Sequence, residues 1–176
     1  QVNPFFSVAF PEGPTIIPGK DDHVNRVSVV FLYSMITLST RGRYAARLMV
    51  CLAREWGRGP ATKREMGTRE GISADYVEQI MTQLKNAGLV RSHRGRRGGF
   101  SLARDPALIT LDEILAAAEG PIAPAPCLRG ADCERTASCP TQPVWARAAE
   151  ALHAIFSDVA LSDMAEQSLK TEETPN

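Results

Sequence analysis

Apolar side chains recur every three or four residues in three successive segments of the chain, which is the spacing of amphipathic helices. These segments span roughly residues 40–56, 62–69 and 73–87, and glycines follow each of them. Thr40, Thr62 and Ser73 stand where N-cap residues belong, at the starts of the three segments. The pattern therefore predicts three helices separated by glycine-containing turns.

The period changes after the third predicted helix. Residues 89–93 and 100–102 have the composition of short strands, and residues 95–99 between them contain three glycines. This arrangement predicts a two-stranded ribbon with a tight tip. A further helix is predicted over residues 111–120, with Thr110 as its N-cap.

A long apolar stripe follows near the C-terminus. It has helical spacing over residues 144–159, and a short final turn is predicted from Ser162. The stripe offers more apolar surface than one small domain needs, so we expect a second copy of the chain to cover it; the alternative is that it folds back onto its own domain. The expected dimerisation residues are Val144, Ala148, Leu152, Ile155 and Val159.

These elements divide the chain into four parts. Residues 1–34 lack periodicity and contain four prolines, which predicts a poorly ordered extension or an arm packed on the domain. Residues 35–106 are predicted to form a winged helix-turn-helix, residues 107–166 a cysteine loop and dimerisation helix, and residues 167–176 an acidic tail. The predicted fold class is mainly α with a small β-ribbon. The most apolar run, 27–38, is too short to span a bilayer, so we expect a cytoplasmic protein.

The net charge of zero hides two oppositely charged halves. Residues 41–104 contain fourteen Lys and Arg against five Asp and Glu, whereas residues 105–176 contain four against twelve. A basic block beside an acidic one predicts that the first half binds a polyanion. Because a winged helix-turn-helix inserts its second helix into the major groove, the predicted partner is double-stranded DNA.

The expected DNA-binding residues lie on the third helix, on the ribbon and at the start of the first helix. Gln suits adenine edges, Glu and Asp can accept from cytosine amino groups, and arginines around a glycine-rich tip suit phosphates or narrow minor grooves. The alternative for Tyr76 is a place in the core, and the alternative for Asp75 and Glu78 is a favourable interaction with the positive N-terminus of the helix. The full set is Arg41, Arg43, Ser73, Asp75, Tyr76, Glu78, Gln79, Arg94, Arg96 and Arg97.

Three cysteines, Cys127, Cys133 and Cys139, lie in one short loop with five residues between each and the next. Thiolates crowded together are either oxidised to each other or hold a metal. Iron–sulfur clusters require thiolates, structural zinc usually takes four good ligands at short paired spacings, and a thiol switch needs only two cysteines. The trio is predicted to bind an iron–sulfur cluster, with a thiol–disulfide switch or zinc as alternatives. Cys51 lies in an apolar helical stripe and is expected in the core.

The chain resembles the iron–sulfur winged-helix transcriptional regulators typified by IscR and NsrR. The resemblance is carried by residues 39–49 (STRGRYAARLM), residues 71–106, the cysteine trio and residues 159–164 (VALSDM), and it extends over about residues 35–166. It implies a homodimer joined through the long helix, a cluster near the N-terminus of that helix, and binding to a two-fold operator. A [2Fe–2S] cluster is slightly favoured over [4Fe–4S].

Two positions depart from the pattern of that family. Gln142 stands where the [2Fe–2S] members have a histidine ligand, and Arg43 stands where the nitric-oxide-sensing members have an aspartate. The fourth ligand is therefore open, with Glu134, Asp132, a partner-chain residue or a small thiol as candidates.

The predicted function is a DNA-binding transcriptional regulator, in the first instance a repressor, whose cluster senses redox state, nitric oxide or iron–sulfur status. The alternatives are a cluster-free winged-helix regulator with a thiol–disulfide switch, and an iron–sulfur electron carrier. An enzyme is not expected, because the sequence contains no nucleophile–base set, phosphate loop or catalytic carboxylate pair.

Overall fold

The computed structural model describes residues 38–95, 98–135 and 138–172. The predicted N-terminal extension, Arg96, Arg97 and the last four residues of the acidic tail lie outside the described residues. The elements in chain order are α1 (Thr40–Arg54), α2 (Lys63–Glu70), α3 (Ala74–Asn86), β1 (Val90–His93), β2 (Gly99–Leu102), α4 (Leu111–Glu119), α5 (Gln142–Ser157) and α6 (Leu161–Glu172).

The first three helices and their caps follow the sequence signals. The Thr62 hydroxyl accepts from the Glu65 N–H and the Glu65 carboxylate accepts from the Thr62 N–H, which forms a capping box at α2. Gly71, with a φ of +67°, ends α2 in the left-handed conformation that favours glycine. One detail differs: the cap of α1 is Ser39, whose hydroxyl accepts from Gly42 N–H, because Thr40 is already helical.

The ribbon is antiparallel and is anchored to the start of the helix-turn-helix. Val90 pairs with Leu102 and His93 with Gly99, as the predicted hairpin requires. Ala61, just before α2, exchanges backbone hydrogen bonds of 2.9 and 2.8 Å with Phe100. A Cβ on Gly99 would lie 2.3 Å from the Ala61 carbonyl oxygen, so only glycine permits this approach. The ribbon of β1 and β2, which is the predicted wing, therefore has a fixed position beside α2.

Helix α1 is the centre of the core, and α3, α4 and α6 pack around it. The apolar spacing of residues 40–56 predicts that Trp56 belongs to the first helix. Helix α1 instead ends at Arg54, and Trp56 is 46% exposed. The fully buried large side chains are Leu48, Met49, Met66, Val77, Ile80, Met81, Leu84, Ile109, Ile114, Leu115 and Leu161.

The expectation of a short turn after Ser162 is wrong, because α6 is a twelve-residue helix. Its first residue, Leu161, is fully buried, and its N–H donates to the Ile109 carbonyl at 2.8 Å. Over residues 161–170, where burial is described, only Leu161 and Ala165 are buried, so the apolar stripe is too short to indicate a whole helix from the sequence.

Helix α5 packs on α4 and on the short 3₁₀ helix Pro126–Arg129, yet no residue of α5 is buried within the described part of the chain. Val144 is 57% exposed and Ile155 is 59% exposed. Val159, a member of the predicted stripe, lies beyond the end of α5, where its carbonyl accepts from Leu111 N–H. None of the described helices is long and apolar enough to cross a membrane.

Candidate nucleic-acid interface and cysteine loop

The first turns of α3 present polar side chains outward, as a recognition helix does. The Ser73 hydroxyl accepts from the Tyr76 N–H at 3.2 Å and so fixes where the helix begins. Asp75 and Glu78 expose 91% and 55% of their side chains, and Gln79 is also exposed. Carboxylate and amide groups are therefore available at this helix for hydrogen bonds to base edges.

Tyr76 has a structural role, since its ring is half-buried against the core. It meets the ring of Tyr44 edge-on, with centroids 6.1 Å apart and planes 84° apart. The guanidinium of Arg47 lies 5.4 Å from the centre of the Tyr44 ring. This cluster ties the first turn of α3 to α1, and any contact of Tyr76 with DNA stays a prediction.

The start of α1 lies close to the recognition helix. Arg41 and Gln79 line the same shallow groove together with Thr82 and Gln83. Arg41 and Arg43 are both exposed, and Arg43 donates to the Thr40 hydroxyl at 3.4 Å. The structure thus brings one of the predicted cationic residues beside one of the predicted base-reading residues.

On the wing, Arg94 follows β1 and is exposed, and Arg91 on β1 is exposed as well. His93 and Ser101 are hydrogen-bonded across the ribbon, with Nε2 and Oγ 2.8 Å apart. Arg96 and Arg97 lie outside the described residues, so their predicted role is neither supported nor contradicted by the structure.

One residue in this region escaped the sequence reasoning. Lys63, the first residue of α2, forms an ion pair with Glu78, and its Nζ also lies 3.9 Å from Asp75 Oδ1. The hydrogen bond to Glu78 raises the pKa of Lys63 above its usual value. The sequence carries no signal for this contact, because it joins residues at the starts of two different helices.

All four cysteines lie within the described residues, and none of them is in a disulfide. Cys127 lies in the 3₁₀ helix Pro126–Arg129, Cys133 is exposed, and Cys139 lies just before α5. Hydrogen bonds from the Thr141 hydroxyl and from the backbone of Thr141 and Gln142 hold the pKa of the Cys139 thiol below its usual value. The start of α5 therefore stabilises a thiolate at Cys139.

In this structure, no three His, Cys, Asp or Glu side chains among the described residues are clustered closely enough to hold a metal ion. The donor chemistry of the loop nevertheless suits an iron–sulfur cluster, because it offers three thiols near a helix start that favours thiolate. Gln142 is the first residue of α5, and His153 is engaged elsewhere, with its Nδ1 3.0 Å from an Asp112 carboxylate oxygen.

Cys51 belongs to the core, as predicted. It is 4% exposed on α1 and donates to Glu70 at 3.2 Å. Burial, together with the neighbouring Glu70 carboxylate, raises its pKa to about 11, so it is a neutral thiol near pH 7.

A contact at the end of α4 joins the segment that precedes the cysteine loop to the start of α1. Glu119, the last residue of α4, accepts a hydrogen bond of 2.7 Å from the Ser39 hydroxyl at the start of α1. Its carboxylate lies over Gly42, where a Cβ would be 1.8 Å from Oε1. Glu119 and Arg41 also line one groove with Tyr76. The chain that leaves Glu119 leads directly to the cysteine loop.

Comparison with known proteins gives one family match and a consistent set of relatives. The model of Rrf2, described as an iron-dependent transcriptional regulator, matches residues 38–167. The HTH-type transcriptional regulator CymR of Bacillus subtilis strain 168 is 34% identical over 128 residues, which are 73% of this chain and 88% of CymR. The HTH-type transcriptional regulator IscR of Vibrio atlanticus is 30% identical over 127 residues, 72% of this chain and 73% of IscR.

Solved structures show the same relationship. The chain superposes on CymR of B. subtilis, described as the global cysteine regulator, with a TM-score of 0.64 and 32% identity over 76% of this chain and 98% of that one. It superposes on T. potens IscR with a TM-score of 0.63 and 28% identity over 80% of this chain and 94% of that one. The winged-helix fold predicted from the sequence is thereby confirmed.

Proposed function

The chain belongs to the Rrf2 family of transcriptional regulators, and we propose that it is a dimeric repressor whose operator binding responds to an iron–sulfur cluster. The cluster is held in each chain by Cys127, Cys133 and Cys139. The same proposal places the protein in the cytoplasm with the DNA that it binds.

The proposed DNA contacts come from two kinds of side chain. Gln79 and Glu78 read base edges from the exposed side of α3, and Arg41, Arg43 and Arg94 neutralise phosphates. In support, all five side chains are exposed, and Arg41 and Gln79 share a groove. Arg96 and Arg97 are proposed to add charge at the tip of the wing.

The proposed dimer forms through α5. A monomer that leaves Val144, Trp145 and Ile155 this exposed along one helix offers an apolar surface that a second copy can cover. Two-fold symmetry is the commonest way for identical chains to associate, and a symmetric dimer presents two recognition helices to a two-fold operator.

The observation that carries the cluster proposal is the placement of three thiols in one loop that ends at the start of α5. The helix start favours a thiolate at Cys139, which is the ligand form that iron needs. When bound, an iron–sulfur cluster would supply a redox-sensitive group that crosslinks the three points of the loop. Because Gln142 is a poor iron ligand, the fourth position is proposed to be weakly held, which suits a sensor.

The proposed response travels through α4. A cluster bound by the loop would fix the position of the chain after Glu119, and the Ser39–Glu119 hydrogen bond connects that point to the first turn of α1. Arg41 is on this turn, beside Tyr76 and Gln79 of α3. A change in the loop can therefore alter the position of the DNA-binding side chains within one chain, while α5 alters their spacing between chains.

The decisive experiment is purification without oxygen, followed by iron and sulfide quantitation and a visible spectrum. We expect one cluster per chain, lost in the single variants Cys127→Ala, Cys133→Ala and Cys139→Ala and retained in Cys51→Ser. The variant Gln142→His should slow the loss of absorption in air if the fourth position lies there. A cluster that survives without Cys133 would contradict the ligand set.

A thiol–disulfide switch is the second candidate, because a disulfide needs only two of the three loop thiols and the structural relative CymR is described as a global cysteine regulator. It predicts no iron, and operator binding that changes when a mild disulfide oxidant joins two of the three loop cysteines. Mass spectrometry of the oxidised protein would identify that pair and distinguish the two candidates.

A further inference from the structure

We propose that Lys63 determines base preference by holding the carboxylate of Glu78, the α3 residue that reads a base edge; this rests on the proposed function. Lys63 Nζ pairs with Glu78 Oε2 and lies 3.9 Å from Asp75 Oδ1. Lys63 is therefore a positioning residue for operator recognition, on a helix that itself is not expected to enter the groove.

The location of Lys63 on α2 is unfavourable for the helix itself. A cation at the first position of a helix faces the positive end of the helix dipole. The capping box of Thr62 and Glu65 already satisfies the start of α2, so Lys63 has no capping role. What compensates its charge is the pair of α3 carboxylates, Asp75 and Glu78, three residues apart on one face of that helix.

The negative charges of Asp75 and Glu78 are unfavourable next to DNA, and Lys63 compensates part of that charge. Next to DNA, uncompensated carboxylates on a recognition helix are repelled by the phosphates. The ion pair cancels one negative charge and restricts the rotamers of a long side chain. A carboxylate accepts hydrogen bonds on both oxygens, so Glu78 can hold Lys63 through Oε2 and accept a cytosine amino hydrogen through Oε1.

A direct contact between Lys63 and a phosphate predicts a different behaviour. A lysine that neutralises a phosphate adds about one unit to the salt slope of binding, and it raises the affinity for all duplex sequences by about the same factor. A lysine that stays paired with Glu78 makes no phosphate contact, so removing both partners leaves that slope unchanged, and removing the lysine alone alters the preference at one base pair of each half-site.

The test uses the full-length protein and an operator selected by the wild type from randomised duplexes. Competition with every single-base variant of that duplex gives a preference matrix for the wild type, Lys63→Met, Glu78→Gln and the double variant. Arg64→Met is the matched control, because it removes an exposed positive charge from the next position of α2. A salt titration accompanies each matrix.

We expect Lys63→Met and Glu78→Gln to weaken the sequence preference at the same base pair. Each variant should lose most of the roughly 5- to 150-fold discrimination that one good contact provides. The double variant should alter the preference at no further base pair, and because it removes both charges of the pair, its salt slope should match that of the wild type. If Lys63→Met leaves the base preference unchanged, or if the double variant has a salt slope smaller by about one unit, the inference is overturned while the proposed function stands. A wild type that selects no preferred duplex overturns both.

Discussion

Replacing Ile155 by alanine tests whether α5 joins two copies of the chain. Ile155 is 59% exposed in the isolated chain, and complete burial of an isoleucine is worth about 1.5–3 kcal/mol. Covering the exposed part therefore stabilises a dimer by about 1–2 kcal/mol per chain, or about 2–3.5 kcal/mol for the two symmetric copies. Alanine keeps only the Cβ, so about three quarters of this stabilisation, roughly 1.5–2.5 kcal/mol, is lost, and we expect the dimer Kd to rise roughly 10- to 60-fold, at about tenfold per 1.4 kcal/mol.

Sedimentation equilibrium over a range of protein concentrations measures this Kd directly. Leu108→Ala is the matched control, because Leu108 is 67% exposed but lies in the 3₁₀ helix before α4. A dimer that forms as tightly in Ile155→Ala as in the wild type would show that α5 is not the interface. Equal weakening by Leu108→Ala would show that the effect is not specific to α5, and a monomeric wild type would refute the dimer itself.

Four further predictions follow from burial and charge. Leu161→Ala removes a fully buried side chain from α6 and should lower the free energy of unfolding by about 2–5 kcal/mol in urea titrations, whereas Leu108→Ala should change it by less than about 0.5 kcal/mol. In the metal-free, reduced protein at pH 7, iodoacetamide should label Cys139 quickly and spare Cys51, because only thiolates react and the pKa of Cys51 is raised to about 11; labelling of both at one rate by peptide mass spectrometry would contradict this. Because the pKa of Cys51 in the fold is about 11, above its ordinary value of 9.0, the neutral thiol contributes stability that is complete below about pH 9 and is lost as the pH rises to about 11. The free energy of unfolding should therefore fall less over this pH range in Cys51→Ser than in the wild type. Arg94→Ala should reduce the salt slope of duplex binding by about one unit, and an unchanged slope would remove Arg94 from the phosphate contacts.

The sequence by itself determined the local elements of the DNA-binding half. Caps and breakers act within a few residues, so Thr62, Ser73 and Gly71 marked the ends of α2 and α3 correctly. Alternating residues around a glycine-rich turn indicated the ribbon, and the apolar period placed Cys51 in the core. The clustering of three cysteines was also visible, because their loop is continuous in the sequence.

Only the tertiary structure decided contacts between residues far apart in the chain. The pairing of Lys63 with Glu78, of Ser39 with Glu119 and of Ala61 with Phe100 depends on how helices and ribbon pack, and spacing along one element carries no information about it. Helix α6 belongs to the same class: two buried residues make too weak a periodic signal, yet packing on α1 and the backbone bond of Leu161 to Ile109 stabilise twelve residues as helix. Local signals specify where elements begin and end, whereas burial against distant partners specifies which side chains meet, and that is why the positioning lysine and the link to the cysteine loop became evident only in three dimensions.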